Sequence, residues 1–522
     1  MIRLGVVHFN RPGLHPAVLT LLLKRTRSSV AAAQNDMQGV RTFEEIPGPK
    51  ALPLIGNTWR YLPFIGEYAN LGMDGLVNHI REKYGNIAKV THLHGINDMV
   101  FVFDPKDVEN LFRNEGAWPR RPGVNSVLYY REELRKDFYN GVDGAFFTQG
   151  KKWYDFRSKV NQTMMQPRSS KLYVKPIDEV TNELVDRMRN LRNENGELPE
   201  NFTEYLMRWA LESISVVALD TRLGCLDPDL KPDSETEKMI NAVHYLIHAM
   251  FELDVKKSFR HFTKRKEWKK LVEVSDFINE VSMKHVRKAM ERIKNKVEMD
   301  EKELSVLETL LIKNEDPMIA TVMALDMMLA GIDTTSNSTA VALHFLATNQ
   351  DKQEKLFKEL ESILPSKDQP LTAKNLEDMK YMKACIKESM RISPIVSGTA
   401  RETQKDIVLS NYLVPKGAMV IVPTKSMCLD EQNFPQPTRF IPERWIKGSE
   451  EQQTAHPFVF IPFGFGARMC LGRRFAELEM GILLARVVRN FRLEYDQELK
   501  IRSTLINNMI SPLNLKLEER PS

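Results

Sequence analysis

The residues best suited to chemistry lie in one loop. Phe463-Gly464-Phe465-Gly466-Ala467-Arg468-Met469-Cys470-Leu471-Gly472 sets a cysteine after two glycines and before a helical run that starts near Leu471 and continues through Met480 and Leu484. The glycines allow a tight turn or close backbone approach. A cysteine at a helix N-terminus, with Arg468 beside it, is expected to have a lowered pKa and to favour thiolate. A thiolate is either a nucleophile or a metal ligand. A nucleophile needs a general base, and none of the 11 histidines falls in this stretch. The other cysteines, Cys225, Cys385 and Cys428, are widely spaced and form no CxxC pair, so a disulfide scaffold or a zinc site of usual spacing has no support. A lone thiolate ligand suits a haem iron.

Two further constellations stand out. Pro317 to Thr348 is a 32-residue window whose only charges are Asp326 and Asp333. As a helix it spans about 48 Å at 1.5 Å per residue. Asp333-Thr334-Thr335-Ser336-Asn337-Ser338-Thr339 is too polar for hydrocarbon, so the window reads as a core helix. Hydroxyls there compete for backbone carbonyls, which predicts a local kink or widened turn after Gly331. An acid and a hydroxyl in such a place either move protons or only satisfy the backbone. Glu388 and Arg391 stand one helical turn apart and share a face.

The surrounding elements divide by periodicity. Ile46-Pro47-Gly48-Pro49-Lys50 opens a stiff, extended lead-in. Short β-like runs follow at Ile87 to His92 and Asp98 to Phe103. From about Trp153 to Leu364 helical spacing dominates, with Asn201 to Leu219 and Glu235 to Leu253 as clear amphipathic segments. β-like runs return at Ile407 to Val414 and Ala418 to Val422, before a Pro-rich loop from Phe434 to Pro442. With 42% apolar residues among 522, the chain can bury a large core. One mainly α domain with a small β portion, over 36–522, is the expected architecture.

The net charge of +5 sits wholly in residues 1–35, which hold Arg3, Arg11, Lys24, Arg25 and Arg27 and no acid; the remaining 487 residues carry 69 charges of each sign. A globally basic nucleic-acid binder is disfavoured. The Arg-rich, acid-free start has the composition of a mitochondrial transit peptide, and its apolar stretch, Ala17 to Leu23, is too short to span a bilayer. Lys256 to Lys270 interleaves basic and aromatic residues and reads either as a solvated helix face or as a membrane-surface contact.

Taken together, the motifs resemble those of the cytochrome P-450 superfamily. Phe463-x-x-Gly466-x-Arg468-x-Cys470-x-Gly472 looks like its haem-binding signature. Ala330-Gly331-x-Asp333-Thr334-Thr335 looks like its oxygen-activation motif. Glu388-x-x-Arg391 looks like its buried ion pair, and Phe440-x-Pro442-Glu443-Arg444 like the loop that completes it. Trp153-x-x-x-Arg157 looks like its haem-propionate contact, and Pro47-Gly48-Pro49 like its N-terminal hinge. The resemblance spans about residues 46–515. It implies haem b with Cys470 as axial iron ligand, and Phe463, Gly466, Arg468, Gly472, Trp153, Arg157 and Arg401 around the cofactor. It implies Asp333 and Thr334 as the proton-delivery pair, and Glu388, Arg391 and Arg444 as a structural clamp.

The transit-like start and the basic residues Lys383, Lys387, Arg473 and Arg474 resemble the mitochondrial branch, which takes electrons from an acidic, adrenodoxin-like ferredoxin and its NADPH-dependent reductase. Phe112-Arg113-Asn114-Glu115-Gly116 and Trp118-Pro119 look like the insect mitochondrial group linked to xenobiotic oxidation. That likeness implies a peripheral inner-membrane enzyme on the matrix side, using O2 on a lipophilic substrate. The alternatives are a steroid (ecdysteroid-type) hydroxylase of the same branch, a donor-independent haem-thiolate isomerase or dehydratase, and a non-catalytic haem carrier. Pro122 to Tyr130, Val243 to Phe251, the helix near Ala330 and Pro394 to Thr399 are the expected pocket walls, mostly apolar as a lipophilic ligand requires.

Overall fold

The helices that bear on the site are α1 (Gly150–Met165), α2 (Val174–Leu191), α3 (Phe202–Leu219), α4 (Glu235–Met250), α5 (Arg265–Asn295), α6 (Pro317–Thr348), α7 (Lys380–Ile392) and α8 (Arg473–Asn490). They are taken from a computed structural model that describes residues 39–62, 64–93, 97–121, 123–255, 265–295 and 303–521. The expected transit segment and residues 256–264 of the basic aromatic run lie outside the described residues.

The central helix α6 has the bounds that its composition predicts. Asp316 caps it by accepting from the Met318 N–H, and Pro317 occupies the first turn, where no N–H is needed. Long and apolar enough to cross a membrane, it is nevertheless 78% buried inside the protein over its most apolar window. An all-round apolar helix enclosed by its neighbours is a core helix. It packs most extensively on α3. Gly331 makes that approach possible, since a Cβ there would stand 2.9 Å from Ile214 Cγ1.

The expected widened turn is absent. The helix runs unbroken through Asp333 to Thr339. The competing side-chain bonds are nonetheless present: Thr334 Oγ1 donates to the Ala330 carbonyl at 2.5 Å, Ser338 Oγ to Thr334 at 2.7 Å and Thr339 Oγ1 to Thr335 at 2.7 Å. Each reaches back four residues, so a carbonyl oxygen with two lone pairs accepts a second bond and the ladder survives.

Among the described residues ten short strands follow: β1 (Ile87–Val90), β2 (Met99–Val102), β3 (Thr399–Glu402), β4 (Ile407–Leu409), β5 (Tyr412–Val414), β6 (Met419–Val422), β7 (Phe491–Glu494), β8 (Ile501–Ser503), β9 (Asn507–Met509) and β10 (Lys516–Glu519). Four of them form a sheet in the order β1-β2-β6-β3. β2 and β6 run parallel, and Arg401 on β3 pairs antiparallel with Val420 on β6. The run Ile407 to Val414 is a tight hairpin, β4–β5, turned at Ser410 and Asn411, both at positive φ. Val100, Val102, Val420 and Val422 make a second small core under the sheet, while the main core surrounds α6. The fold is thus mainly α with a small β portion.

A clamp joins α7 to the Pro-rich loop. Arg391 binds Glu388 through Nε at 2.9 Å and Nη2 at 2.8 Å, and Arg444 Nε reaches the same carboxylate at 3.2 Å. The Trp445 indole N–H at 2.9 Å and the Ile441 backbone N–H at 3.1 Å complete its shell. The ion pairs Glu388–Arg391 and Glu388–Arg444 are almost fully buried. Glu388→Gln would strand two buried guanidinium groups and is expected to cost about 3–5 kcal/mol. Against a total of about 5–15 kcal/mol, that loss should show as a large fall in the urea midpoint. An unchanged midpoint would contradict the clamp.

Candidate functional site

The cysteine loop is held by its own backbone. The Cys470 N–H donates to the Phe463 carbonyl at 2.9 Å, and the Met469 N–H to Gly466 at 3.1 Å. Gly466 is required by its backbone angle, and a side chain there would displace the Glu115 carboxylate. Its φ is +74°, and a Cβ would fall 2.6 Å from Glu115 Oε1. Gly472 is different: its φ is −82°, and it precedes α8, which begins at Arg473, two residues later than expected. Phe463 is half-buried and lies against Arg473, whose Cζ is 5.5 Å from the ring centroid.

Cys470 is the exposed cysteine of the four; Cys225, Cys385 and Cys428 are buried. Burial nevertheless pushes the Cys470 thiol up, and this outweighs the hydrogen bonds of the Gly472 and Arg473 N–H groups and the charges of Arg157 and Arg121. The lowered pKa expected from the helix terminus is therefore corrected: the local N–H groups act as expected, but desolvation is the larger effect. For Cys428 burial pushes the thiol up to about 12.

Around the sulfur stands a group of guanidinium cations. Arg157 on α1 donates Nη1 to the Met469 carbonyl at 2.9 Å. Arg468 donates Nε to the Pro119 carbonyl at 2.9 Å and Nη2 to the Thr148 carbonyl at 2.8 Å, and its Cζ lies 4.2 Å from the Trp153 ring centroid. Arg401 on β3 donates Nε to Glu115 Oε2 at 2.6 Å. Trp153, Arg157, Arg401 and Arg468 are all buried. The spacing motifs had not marked Arg121, yet it belongs here, donating Nη2 to the Phe146 carbonyl at 3.2 Å. Burial and mutual repulsion push Arg468 down to about 9 and Arg121 down to about 10; for Arg157, at about 10, burial dominates as well.

Glu115 offsets Arg401 and Arg468, while Arg121 and Arg157 lie beside the sulfur, and Arg468 Nη1 is buried without a protein partner. Such a cluster is short of negative charge. Two ligand carboxylates would supply it, and a thiol stands beside them. The donor set fits a haem. Glu115 was legible only as part of a family-like stretch; its role as counter-charge to Arg401 depends on a contact 286 residues away in sequence.

A scan of the chain against family models matches Cytochrome P450 over residues 46–518. The chain is a cytochrome P450. This P450 is 40% identical to "Probable cytochrome P450 12a5, mitochondrial" of Drosophila melanogaster over 97% of both chains. It is 39% identical to "Probable cytochrome P450 49a1" of the same organism, over 95% of this chain and 85% of the relative. It is 36% identical to "Cytochrome P450 CYP12A2" of Musca domestica, over 98% and 96%. P450 enzymes are monooxygenases that bind haem through a cysteine thiolate, and several relatives of this P450 are named mitochondrial.

On α6, Asp333 is buried and Thr334 half-buried. Asp333 Oδ1 lies 3.4 Å from Nδ1 of His244 on α4, and Oδ2 is buried without a partner. A cavity of about 260 Å³ adjoins them, lined by polar groups including Thr203, His244, Asn337, Arg502 and Asn508. Of the expected apolar pocket segments, only members of Val243 to Phe251 and the α6 region reach this cavity.

The basic residues expected to meet a redox partner are less free than their spacing suggests. Lys383 and Lys387 are exposed on α7, and Lys387 Nζ lies 5.7 Å from the Trp445 ring centroid. Arg473 is paired with Glu477 at 3.0 Å, and Arg474 is tied to the Met165 carbonyl.

Proposed function

We propose that this P450 is a mitochondrial monooxygenase that inserts one O2-derived oxygen atom into a lipophilic foreign compound, and that Cys470 would hold the iron of haem b through its sulfur. The observation that carries the assignment is the charge-deficient cluster of Arg121, Arg157, Arg401 and Arg468 beside the exposed cysteine. Bound to iron, the Cys470 sulfur would be held as thiolate, since a coordinating thiol is deprotonated. Haem bound there supplies oxygen activation. Phe463, Gly466 and Gly472 shape the loop so that the sulfur is presented, and Trp153, Arg157, Arg401 and Arg468 orient the cofactor's carboxylates. Asp333 holds a proton at its carboxylate, and Thr334 passes it onward from Oγ1 once it leaves the Ala330 carbonyl.

In this reading residues 1–35 are a transit peptide and 36–522 the haem-thiolate domain. Exposed apolar side chains at Leu52, Leu54, Ile55, Phe64 and Ile65 support a peripheral contact with the inner membrane on the matrix side. Electrons come from a reduced ferredoxin and its NADPH-dependent reductase. Lys383 and Lys387, four residues apart and exposed, support docking of an acidic ferredoxin, with Arg473 and Arg474 as its margin.

The test is reconstituted turnover with NADPH, reductase and ferredoxin on a panel of xenobiotics and steroids, including 7-ethoxycoumarin. Ferredoxin-dependent product is expected. Lys383→Glu with Lys387→Glu is expected to raise the KM for ferredoxin about tenfold at low salt with kcat little changed, because the loss is in electrostatic association. Product from a lipid hydroperoxide with no ferredoxin present would favour the isomerase instead.

A further inference from the structure

We propose that His244 is the group through which Asp333 is reprotonated from solvent. The inference rests on the monooxygenase reading, in which Asp333 must deliver protons repeatedly. A buried carboxylate that gives up a proton needs a source for the next. Asp333 is 2% exposed, whereas the His244 side chain is 59% exposed. Among the described residues, the one side-chain partner of that carboxylate is the His244 imidazole, at 3.4 Å. This separation is long for a hydrogen bond, as catalytic contacts often are before substrate binds.

His244 also lines the cavity next to Asp333, beside Thr203, Asn337 and Asn508. The β8–β9 hairpin walls that cavity and is pinned to α6 by Asn337, whose Oδ1 accepts from the Met509 N–H at 3.0 Å and whose Nδ2 donates to the Asp333 carbonyl at 2.8 Å. The imidazole therefore reaches both the carboxylate and a water-sized space. The charged groups facing it are Asp333 on α6, Glu204 on α3, His248 on its own helix and Arg502 on β8. The hydrogen bond to Asp333 holds the imidazole pKa above its usual range, which keeps a larger protonated fraction near neutrality. In the transfer, imidazolium Nδ1–H gives its proton to Asp333 Oδ1, leaving a neutral ring that keeps Nε2–H; the ring then turns Nδ1 to the cavity, where that nitrogen takes a proton from hydronium and releases water. No electrons move.

His244→Gln keeps a polar side chain but cannot titrate. With 7-ethoxycoumarin as probe, product formed per NADPH is expected to fall at least about tenfold. That is less than the roughly 10²–10⁴-fold of a proton donor in direct contact, because cavity water carries part of the flux. Wild-type coupling should decline as pH rises through the raised His244 pKa, and the variant should lose that limb. A substrate-free readout is the His244 titration by NMR, whose midpoint should drop in Asp333→Asn. Wild-type coupling and pH profile in His244→Gln, or a His244 midpoint indifferent to Asp333→Asn, would overturn the relay. Unchanged coupling in Asp333→Asn would instead remove the proton role of Asp333 itself.

Discussion

Cys470→Ala is expected to abolish both turnover and the reduced carbon-monoxide band of haem-thiolate, while Cys225→Ala, Cys385→Ala and Cys428→Ala retain the band. The reasoning is one of access and surroundings. Those three thiols are buried, with burial pushing each well above the ordinary range. Cys470 is exposed, and its sulfur receives two backbone N–H groups and faces Arg157 and Arg121. Loss of the ligand should leave the loop folded, because its geometry rests on backbone bonds from Cys470 and Met469 rather than on the sulfur. The arginine cluster should then still retain some porphyrin, now without thiolate character. An unaltered band in Cys470→Ala would refute the ligand assignment.

The second large effect is expected at the central helix. Asp333→Asn and Thr334→Ala should each lower product per NADPH by about 10²-fold or more, the scale of a lost proton donor, with the missing electrons recovered as hydrogen peroxide. Stability should change far less. Thr334 Oγ1 makes one bond, back to Ala330, and the helix keeps its own N–H for that carbonyl. The Asp333 carboxylate has one partner and one bare oxygen, so an amide of the same shape fits. Fully coupled turnover in either variant would show that the pair only satisfies the backbone.

Periodicity and local signals made much of the fold legible. The α6 boundaries follow from Asp316, Pro317 and an unbroken apolar run; a cap and a proline are local, and no tertiary contact is needed to read them. The Glu388–Arg391 pair was equally readable, because both partners lie on one turn of one helix. What stayed hidden depends on contacts between distant segments. Glu115 and Arg401, Arg121 and Cys470, and His244 and Asp333 come together only after folding. The error over the Cys470 thiol has the same origin. Helix-terminus effects are local and visible in a sequence, whereas desolvation sums over everything packed around the sulfur. The expected widened turn failed for a simpler reason: back-bonding by Thr334, Ser338 and Thr339 adds acceptance at carbonyls without removing it from the ladder.

Iron-edge X-ray absorption on the purified protein tests the central assignment most directly. A single sulfur among the nearest scatterers is predicted in the wild type and in the Cys225, Cys385 and Cys428 variants, and none in Cys470→Ala. Iron surrounded only by nitrogen and oxygen in the wild type, or sulfur that persists without Cys470, would contradict the account.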